Sequence, residues 1–444
     1  MKLFYFILLA LNSISVLCQD GQLDPTFNPT INTDTYINAI TTQDDNKILL
    51  GGGFNSIIRL NEDGSTDTSF DASNSVNGIA RFIVVQNDQK IIISGGSSYY
   101  INRLNEDGSL DTSFNFSGEN SISVINKVVV LDNGKIMIAG RFDKINNNLI
   151  EAVARLNSDG SLDSTFNLNL PPITSLRDMV IQPDGKIIII GQNDESNQFK
   201  IFRRYLTDGT LDPTFNGDEE HYIYGVELQQ DGKIMICGTF QEYNGITQYN
   251  VARLNNDGTL DTTFVSYNLP QNGSNYTIFD VSICNDGKYI INGGFSIYND
   301  TPSNQIAKIN SNGTIDNSFN IGTGPNNSVW ETYIQEDEKI LIGGIFTTYN
   351  GTSTNLIARL NNSILSINTN LIKGNFSFYP NPTQDVLFIE SQEPIEIVKI
   401  YSLQGQLIIE GSSNRVDVSQ LTTGLYFVQV SSNDKTSTKR FIKE

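Results

Sequence analysis

The 444-residue sequence holds one histidine, one tryptophan and three cysteines. A single histidine excludes a histidine-rich zinc cluster, and any Ser-His-Asp or Cys-His arrangement would rest on His221 alone. That residue sits in NGDEEHYIYG, an acidic loop, where a solvated side chain is expected. Three cysteines are too few for a disulfide-built scaffold. Cys237 and Cys284 both fall in apolar strand patterns, as buried free thiols or as one disulfide. Positive charge is scarce as well. With 29 Lys and Arg against 49 Asp and Glu, the net charge of −20 argues against nucleic acid and against an anionic membrane surface. Helix-patterned segments are few while Gly is plentiful at 36, which favours an all-β chain. Beyond the N-terminal segment no apolar run has the length of a membrane span, so no transmembrane segment is expected in the mature chain.

Residues 1–18 read as a signal peptide. Lys2 supplies the positive start, LFYFILLALNSISVL the apolar run, and Val16-Leu17-Cys18 the cleavage site before Gln19. A rival reading makes Cys18 a lipidated first residue, but Leu17 is bulky for that signal.

What the chain does have is repetition. A turn motif recurs as LNEDGSTDTSF at Leu60, LNEDGSLDTSF at Leu104, LNSDGSLDSTF at Leu156, YLTDGTLDPTF at Tyr205, LNNDGTLDTTF at Leu254 and INSNGTIDNSF at Ile309. It alternates with a second, of the form DGKIIIIG at Asp184 and DGKIMICGTF at Asp231. Each interval holds four short β patterns, and Asp-Gly or Asn-Gly supplies the positive φ of the turns. Four strands per roughly 40–50 residues is the period of a propeller blade. LDPTF at Leu23 precedes any second motif, and the last ARLN at Ala358 lacks its closing Phe. The count balances at seven only if the N-terminal fragment completes the last blade and shuts the ring. Residues 19–366 therefore read as a seven-bladed β-propeller closed by an N-terminal strand. The stretches QPDGKI, GG-x-F-x-x-Y-N-G at Gly343–Gly351 and ARLN-x-DG-x-LD-x-TF resemble the delta-60 repeats of bacterial surface and secreted proteins. That resemblance implies a fold and a surface location, and no catalytic role.

After a linker at 367–374 the pattern changes. FSFYPNPTQDVLFIE, KIYSLQGQLIIEG, VDVSQLTTGLYFVQV and KRFIKE alternate apolar residues with turn signals, as in a small Ig-like β-sandwich over 375–444. YPNPT, IYSLQGQ, LTTGLYFVQV and the basic last strand resemble, in order and spacing, the type A C-terminal sorting domain of the type IX secretion system of Bacteroidetes. The resemblance implies type IX secretion machinery as partner, export across the outer membrane, removal of this domain, and release or attachment to surface lipopolysaccharide. An ordinary Ig-like binding module is the structural alternative.

Candidate chemistry is sparse. The NEDGSLD turn has oxygens in number, but Asn312-Gly313 lacks the charge, so a turn is read there and not a calcium loop. The recurrent Arg103 and Asp111 types appear in every blade, which suits pairing and turn capping better than one catalytic site. No catalytic residue, metal or cofactor is assigned. Two of the four connections per blade vary in length, and they share one face. The innermost strand starts on that face, where aligned copies place Asn38, Arg81, Asn126, Arg177, Tyr224, Phe279 and Trp330 in one ring at the mouth of the channel. Two guanidiniums, two amides and three aromatics could hold a sugar or carboxylate by stacking and bidentate hydrogen bonds, or merely fill uneven blade junctions. The expected function is a secreted or outer-membrane surface-attached, non-catalytic binding or adhesion module for a glycan or protein. The alternatives are a polysaccharide hydrolase or lyase using Glu219, Glu220 and Glu242, and a purely structural surface protein.

Overall fold

The computed structural model describes residues 19–362 and 376–443, apart from 32–34, 55, 74, 77, 96–100, 117–123, 143, 147, 169, 171–174, 193–199, 267–276, 392–393, 403–406 and 433–434. The segments read above as signal peptide and linker, 1–18 and 367–374, lie outside the described residues. Within these, every regular element is a strand, and the chain divides into two compact units at residues 363 and 364.

The first unit contains seven three-stranded antiparallel sheets. The inner strands are Ile37–Thr42, Ala80–Val85, Val124–Val130, Ser175–Ile181, Tyr222–Leu228, Ile278–Ile283 and Val329–Ile334. Each neighbours the next, and the seventh neighbours the first, so they close a circle around a central channel. The middle strands are nearly all apolar: Ile187–Gln192, IIIIGQ, has its four isoleucines buried. Such runs are expected where both faces of a sheet are covered by neighbouring blades.

The fourth strand departs from expectation. It is reduced to a single bridge, such as Leu104↔Leu110 or Leu254↔Leu260. The cause is the aspartate that follows. Asp111 Oδ1 accepts the Ser113 backbone N–H at 3.0 Å and the Ser113 hydroxyl at 2.6 Å, which turns the chain out of the ladder. The next segment leans on the neighbouring blade, where Asp71 N donates to Asp107 O and Asn115 N to Asp159 O.

The same aspartate anchors an ion knot. Asp111 Oδ2 accepts Arg103 Nε at 2.7 Å and Lys90 Nζ at 2.7 Å, while the Arg103 guanidinium lies 4.8 Å above the Phe114 ring. Arg103 Nη1 then donates to Ser158 O of the next blade at 2.5 Å. Arg59, Arg204, Arg253 and Arg359 make the same crossing, to Glu106 O, Asn256 O, Ser311 O and Glu62 O. Thus the repeated Asp, Lys and Phe hold, within each blade, the Arg that reaches across to the next.

The seventh blade is completed from the other end of the unit. Leu23 bridges Leu360, Asp24 N donates to Arg359 O at 2.8 Å, and Asn361 N donates to Gln22 O at 2.8 Å. Asp20-Gly21 occupies the turn that Asp107-Gly108 forms within one chain in blade 2, and both Gly21 and Gly108 have positive φ. Expected and observed closure agree.

The long connection after Phe240 does not rise as a binding loop. Its segment Glu242–Tyr243 pairs with Ile246–Thr247, and Tyr243, 1% exposed, donates its hydroxyl to Gly258 O at 2.8 Å and Asn216 O at 3.0 Å. Tyr298 and Tyr349 do the same toward Gly313 O and Gly21 O. These hairpins brace blade junctions.

The second unit is two sheets. One orders Phe376–Tyr379, Val386–Ser391 and Arg415–Asp417; the other orders Leu407–Gly411, Ile397–Ser402, Gly424–Ser432 and Lys435–Lys443. Leu387 and Ile389 of the first share a core with Val398, Ile400, Val428 and Phe441 of the second.

Candidate functional site at the channel mouth

Each of the seven sequence-predicted ring residues occupies one backbone feature. In every inner strand the register slips around it: between Ile37 and Ala39 at Asn38, Ala80 and Phe82 at Arg81, Ile125 and Lys127 at Asn126, Leu176 and Asp178 at Arg177, Ile223 and Gly225 at Tyr224, Ile278 and Asp280 at Phe279, and Val329 and Glu331 at Trp330. Each is the extra residue of a β-bulge, a device that re-aims a side chain at a sheet's rim.

The bulge has a sequence cause. Its partner in the middle strand is glycine in every blade: Gly52, Gly95, Gly140, Gly191, Gly238, Gly293 and Gly344. A Cβ on Gly238 would stand 2.0 Å from Tyr222 O, and one on Gly140 2.0 Å from Val124 O. Only a residue without a side chain admits that close backbone approach.

The seven are not equivalent in their surroundings. Arg177 and Tyr224 meet, with the guanidinium 4.3 Å above the ring. Trp330 packs on Tyr36 at 5.1 Å between centroids. Asn126 Nδ2 donates to Leu176 O of the next blade at 2.7 Å, the junction-filling role. Asn38 Oδ1 is buried without a hydrogen-bond partner, and Arg81 and Phe279 are exposed.

Below the ring lies a charged layer that the sequence reading missed: Lys127, Asp178, Glu227, Asp280 and Glu331. Strict alternation assigns residues one or three places from a ring position, Glu227 being three from Tyr224, to the opposite side of the strand. A bulge breaks that alternation and turns two consecutive side chains the same way. The signal was present, since NKVVV, DMVI, GVEL, FDVSI and WETYI each put one charge inside an apolar strand. Lys127 Nζ lies 2.8 Å from Asp178 Oδ1, and Asp178 Oδ2 accepts Val226 N at 3.2 Å. Asp280 Oδ2 accepts the Thr332 hydroxyl at 3.2 Å.

Enclosure by protein pushes the Glu227 carboxyl up to about 7; Lys127 opposes the shift and Asp178 and Asp280 add to it. Water still reaches Glu227, as it does a channel wall. Asp280 and Glu331 are likewise raised, by burial first and then by their negative neighbours. Lys127 stays charged, because Asp178 and the other carboxylates outweigh its burial. A carboxyl raised on folding adds stability that is complete below its unfolded pKa of about 4.3 and is lost as pH rises through its folded value. The melting temperature of the propeller should therefore fall between about pH 4 and 7, and Glu227→Gln should flatten that slope in calorimetry. An unchanged slope would show that Glu227 titrates normally.

The other candidates are occupied elsewhere. Arg203 holds both oxygens of Glu219. Glu242 lies in the bracing hairpin. His221 is half-buried in its loop and has a partner there: its Nδ1 sits 3.1 Å from both oxygens of Asp218, which is 2% exposed. Asp107 bonds Ser109, as a turn residue does. Cys237 and Cys284 are buried and free, so the disulfide alternative fails. Among the described residues no group of three or more His, Cys, Asp or Glu is placed to hold a metal ion.

A family model described as a domain of unknown function (DUF5122) beta-propeller matches residues 43–70, 86–114, 131–166, 182–215, 229–264, 284–319 and 335–363. A second, described as a secretion system C-terminal sorting domain, matches residues 377–444. No curated protein matches the chain. Among solved structures, the extracellular domain of a one component system from B. thetaiotaomicron is 12% identical with a TM-score of 0.49; the match covers 96% of this chain and 58% of that one. The chain thus spans less than two thirds of that protein's structure. Virginiamycin B lyase from Staphylococcus aureus is 13% identical with a TM-score of 0.49, over 74% of this chain and 95% of that one. No site residue is carried over at such identities.

Proposed function

The chain belongs to the DUF5122 β-propeller family, and we propose that this member is a non-catalytic binding module whose ligand, a glycan or an exposed protein loop, sits on the channel mouth. Its sorting domain marks it for secretion or cell-surface attachment in Bacteroidetes through the type IX machinery. One observation carries the reading. Residues that repeat in every blade are engaged in fastening blades, whereas the bulge position keeps its backbone geometry and changes its side chain. A constant frame with a variable side chain suits recognition more than stability.

The mouth is also two-sided. Blades 2–4 bring Arg81, Arg177 and the Lys127–Asp178 pair, and blades 5–7 bring Tyr224, Phe279 and Trp330 with Glu227, Asp280 and Glu331. Aromatic faces stack on sugar rings, while guanidinium and carboxylate groups bind hydroxyl, carboxylate or amine substituents. On a glycan array with the isolated protein, Trp330→Ala and Arg177→Ala should each weaken the best ligand by about 2 kcal/mol, roughly 30-fold. Asp107→Ala, in the outer turn of blade 2, should leave binding unchanged. Equal binding by all three variants would remove the mouth from the site.

A second reading, a polysaccharide hydrolase or lyase, moves from Glu219, Glu220 and Glu242 to the channel. A carboxyl pushed up to about 7, such as Glu227, is suited to general acid work. Release of sugar products that Glu227→Gln abolishes would favour this reading over pure binding.

A further inference from the structure

We propose that blade 6 carries a binding site for an alkylguanidinium group, such as an arginine side chain, at the place where a lysine replaces the arginine of every other blade. This site is separate from the channel mouth, and its test does not depend on that reading.

In six blades the arginine of the outer strand makes three contacts around one aspartate. Its Nε meets the aspartate Oδ2 at 2.7–2.8 Å. Its Nη2 reaches the Ser or Thr two residues further on, as Arg253 reaches Thr263 Oγ1 at 3.0 Å. Its Cζ lies 4.5–5.5 Å from the centre of the closing Phe ring. Blade 6 has Lys308 instead, whose ammonium donates to Asp286 Oδ2 at 2.9 Å and to Asn362 Oδ1 at 2.6 Å, as Arg204 Nη1 donates to Asn256 Oδ1, and makes none of the three contacts around its own aspartate.

The receiving groups remain in place. Asp316 Oδ1 still takes the Ser318 N–H at 3.0 Å and hydroxyl at 2.6 Å, and Oδ2 still takes Lys288 Nζ at 2.8 Å. No Nε–H joins Lys288 on that oxygen, and among the described residues no cation lies over Phe319. Against Asp316 and Phe319 stands an open pocket of about 110 Å3, lined also by Lys308 and extending to Thr301 and Gly322.

Its chemistry suits a guanidinium. A carboxylate beside a hydroxyl, next to an aromatic face, calls for a flat cation with several fixed donors. An ammonium is a point charge and cannot lie flat on the ring while spanning both oxygens. Lys288 does not forbid a second cation, because Lys90 and Arg103 share Asp111 at 2.7 Å each. Size is compatible: a cavity of about 150 Å3 admits benzene, so a pocket of about 110 Å3 admits a four-atom guanidinium.

The test is calorimetric titration of the full chain with ethylguanidinium and ethylammonium. The expected result is one saturable ethylguanidinium site with a dissociation constant on the order of 1 mM, and at least about tenfold weaker ethylammonium. Lys308→Arg should abolish the site and raise the melting temperature, since the chain then supplies its own guanidinium. The reciprocal Arg103→Lys, which empties the same position in blade 2, should raise the stoichiometry from one to two. Equal binding by Lys308→Arg, no saturation in the native protein, or an unchanged stoichiometry in Arg103→Lys would overturn the assignment. An acetylated Gly-Arg-Gly amide separates the sources. Binding as tight as ethylguanidinium assigns the site to arginine in a polypeptide; binding of ethylguanidinium alone assigns it to a free guanidino compound.

Discussion

Replacing Asp24 by Ala should destabilise the propeller by about 3–5 kcal/mol, the usual cost of breaking a buried ion pair from one side. Asp24 Oδ2 accepts Arg359 Nε at 2.7 Å and lies 3.0 Å from Lys339 Nζ, and Arg359 is 4% exposed. Its loss leaves that guanidinium buried without its anion. Asp111→Ala breaks an equivalent knot in blade 2, but there the outer strand and the bridge residue belong to one continuous hairpin. In blade 7 the two pieces come from opposite ends of the unit, Leu23 and Leu360, so the Asp24 variant also frees the ring closure. Urea unfolding should show a larger midpoint shift for Asp24→Ala than for Asp111→Ala. Equal shifts would mean that closure adds nothing beyond a single knot.

The same knots set the acid limit of the fold. Burial alone would raise the Asp24, Asp67, Asp111, Asp163 and Asp261 carboxyls. Hydrogen bonds from the following Ser or Thr, with the paired Lys and Arg, more than offset it and hold all five well below the usual range. Groups depressed on folding contribute stability that is complete above the unfolded pKa of about 3.9 and is lost as pH falls below it.

Gly238→Ala should cost about 1–3 kcal/mol and also weaken ligand binding at the mouth, although residue 238 lies outside the ring. The new Cβ would stand 2.0 Å from Tyr222 O, and backbone oxygen cannot yield as a flexible side chain can. Relief requires the inner strand to retreat, which dissolves the bulge and re-aims Tyr224. Gly294→Ala is the control, because its Cβ would meet only Phe279 Cζ at 3.9 Å. A Gly238→Ala protein with native stability and native binding would show that the glycine is not what permits the bulge.

The repeat period, the number of blades and the ring closure were legible in the sequence, because each rests on local turn chemistry and on counting motifs. LDPTF at Leu23 without a preceding middle strand, and ARLN at Ala358 without a following Phe, are complementary halves that only a circle reconciles. The ring position was legible too, since aligning copies on the end of each inner strand picks out the residue of every bulge. Its charged neighbours were not, because period-two alternation holds only where the ladder is regular. Tyr243 reads as a loop residue until the fold brings Gly258 O within 2.8 Å of its hydroxyl.

By itself, then, the sequence determined which segments pair, how many blades form and where the chain must rejoin itself, since these follow from backbone preferences expressed over a few residues. Tertiary structure alone decided what the side chains of a blade meet in the next one. Whether Lys308 reaches Asp316 or Asn362, and whether His221 meets water or Asp218, depends on packing between segments distant in the chain.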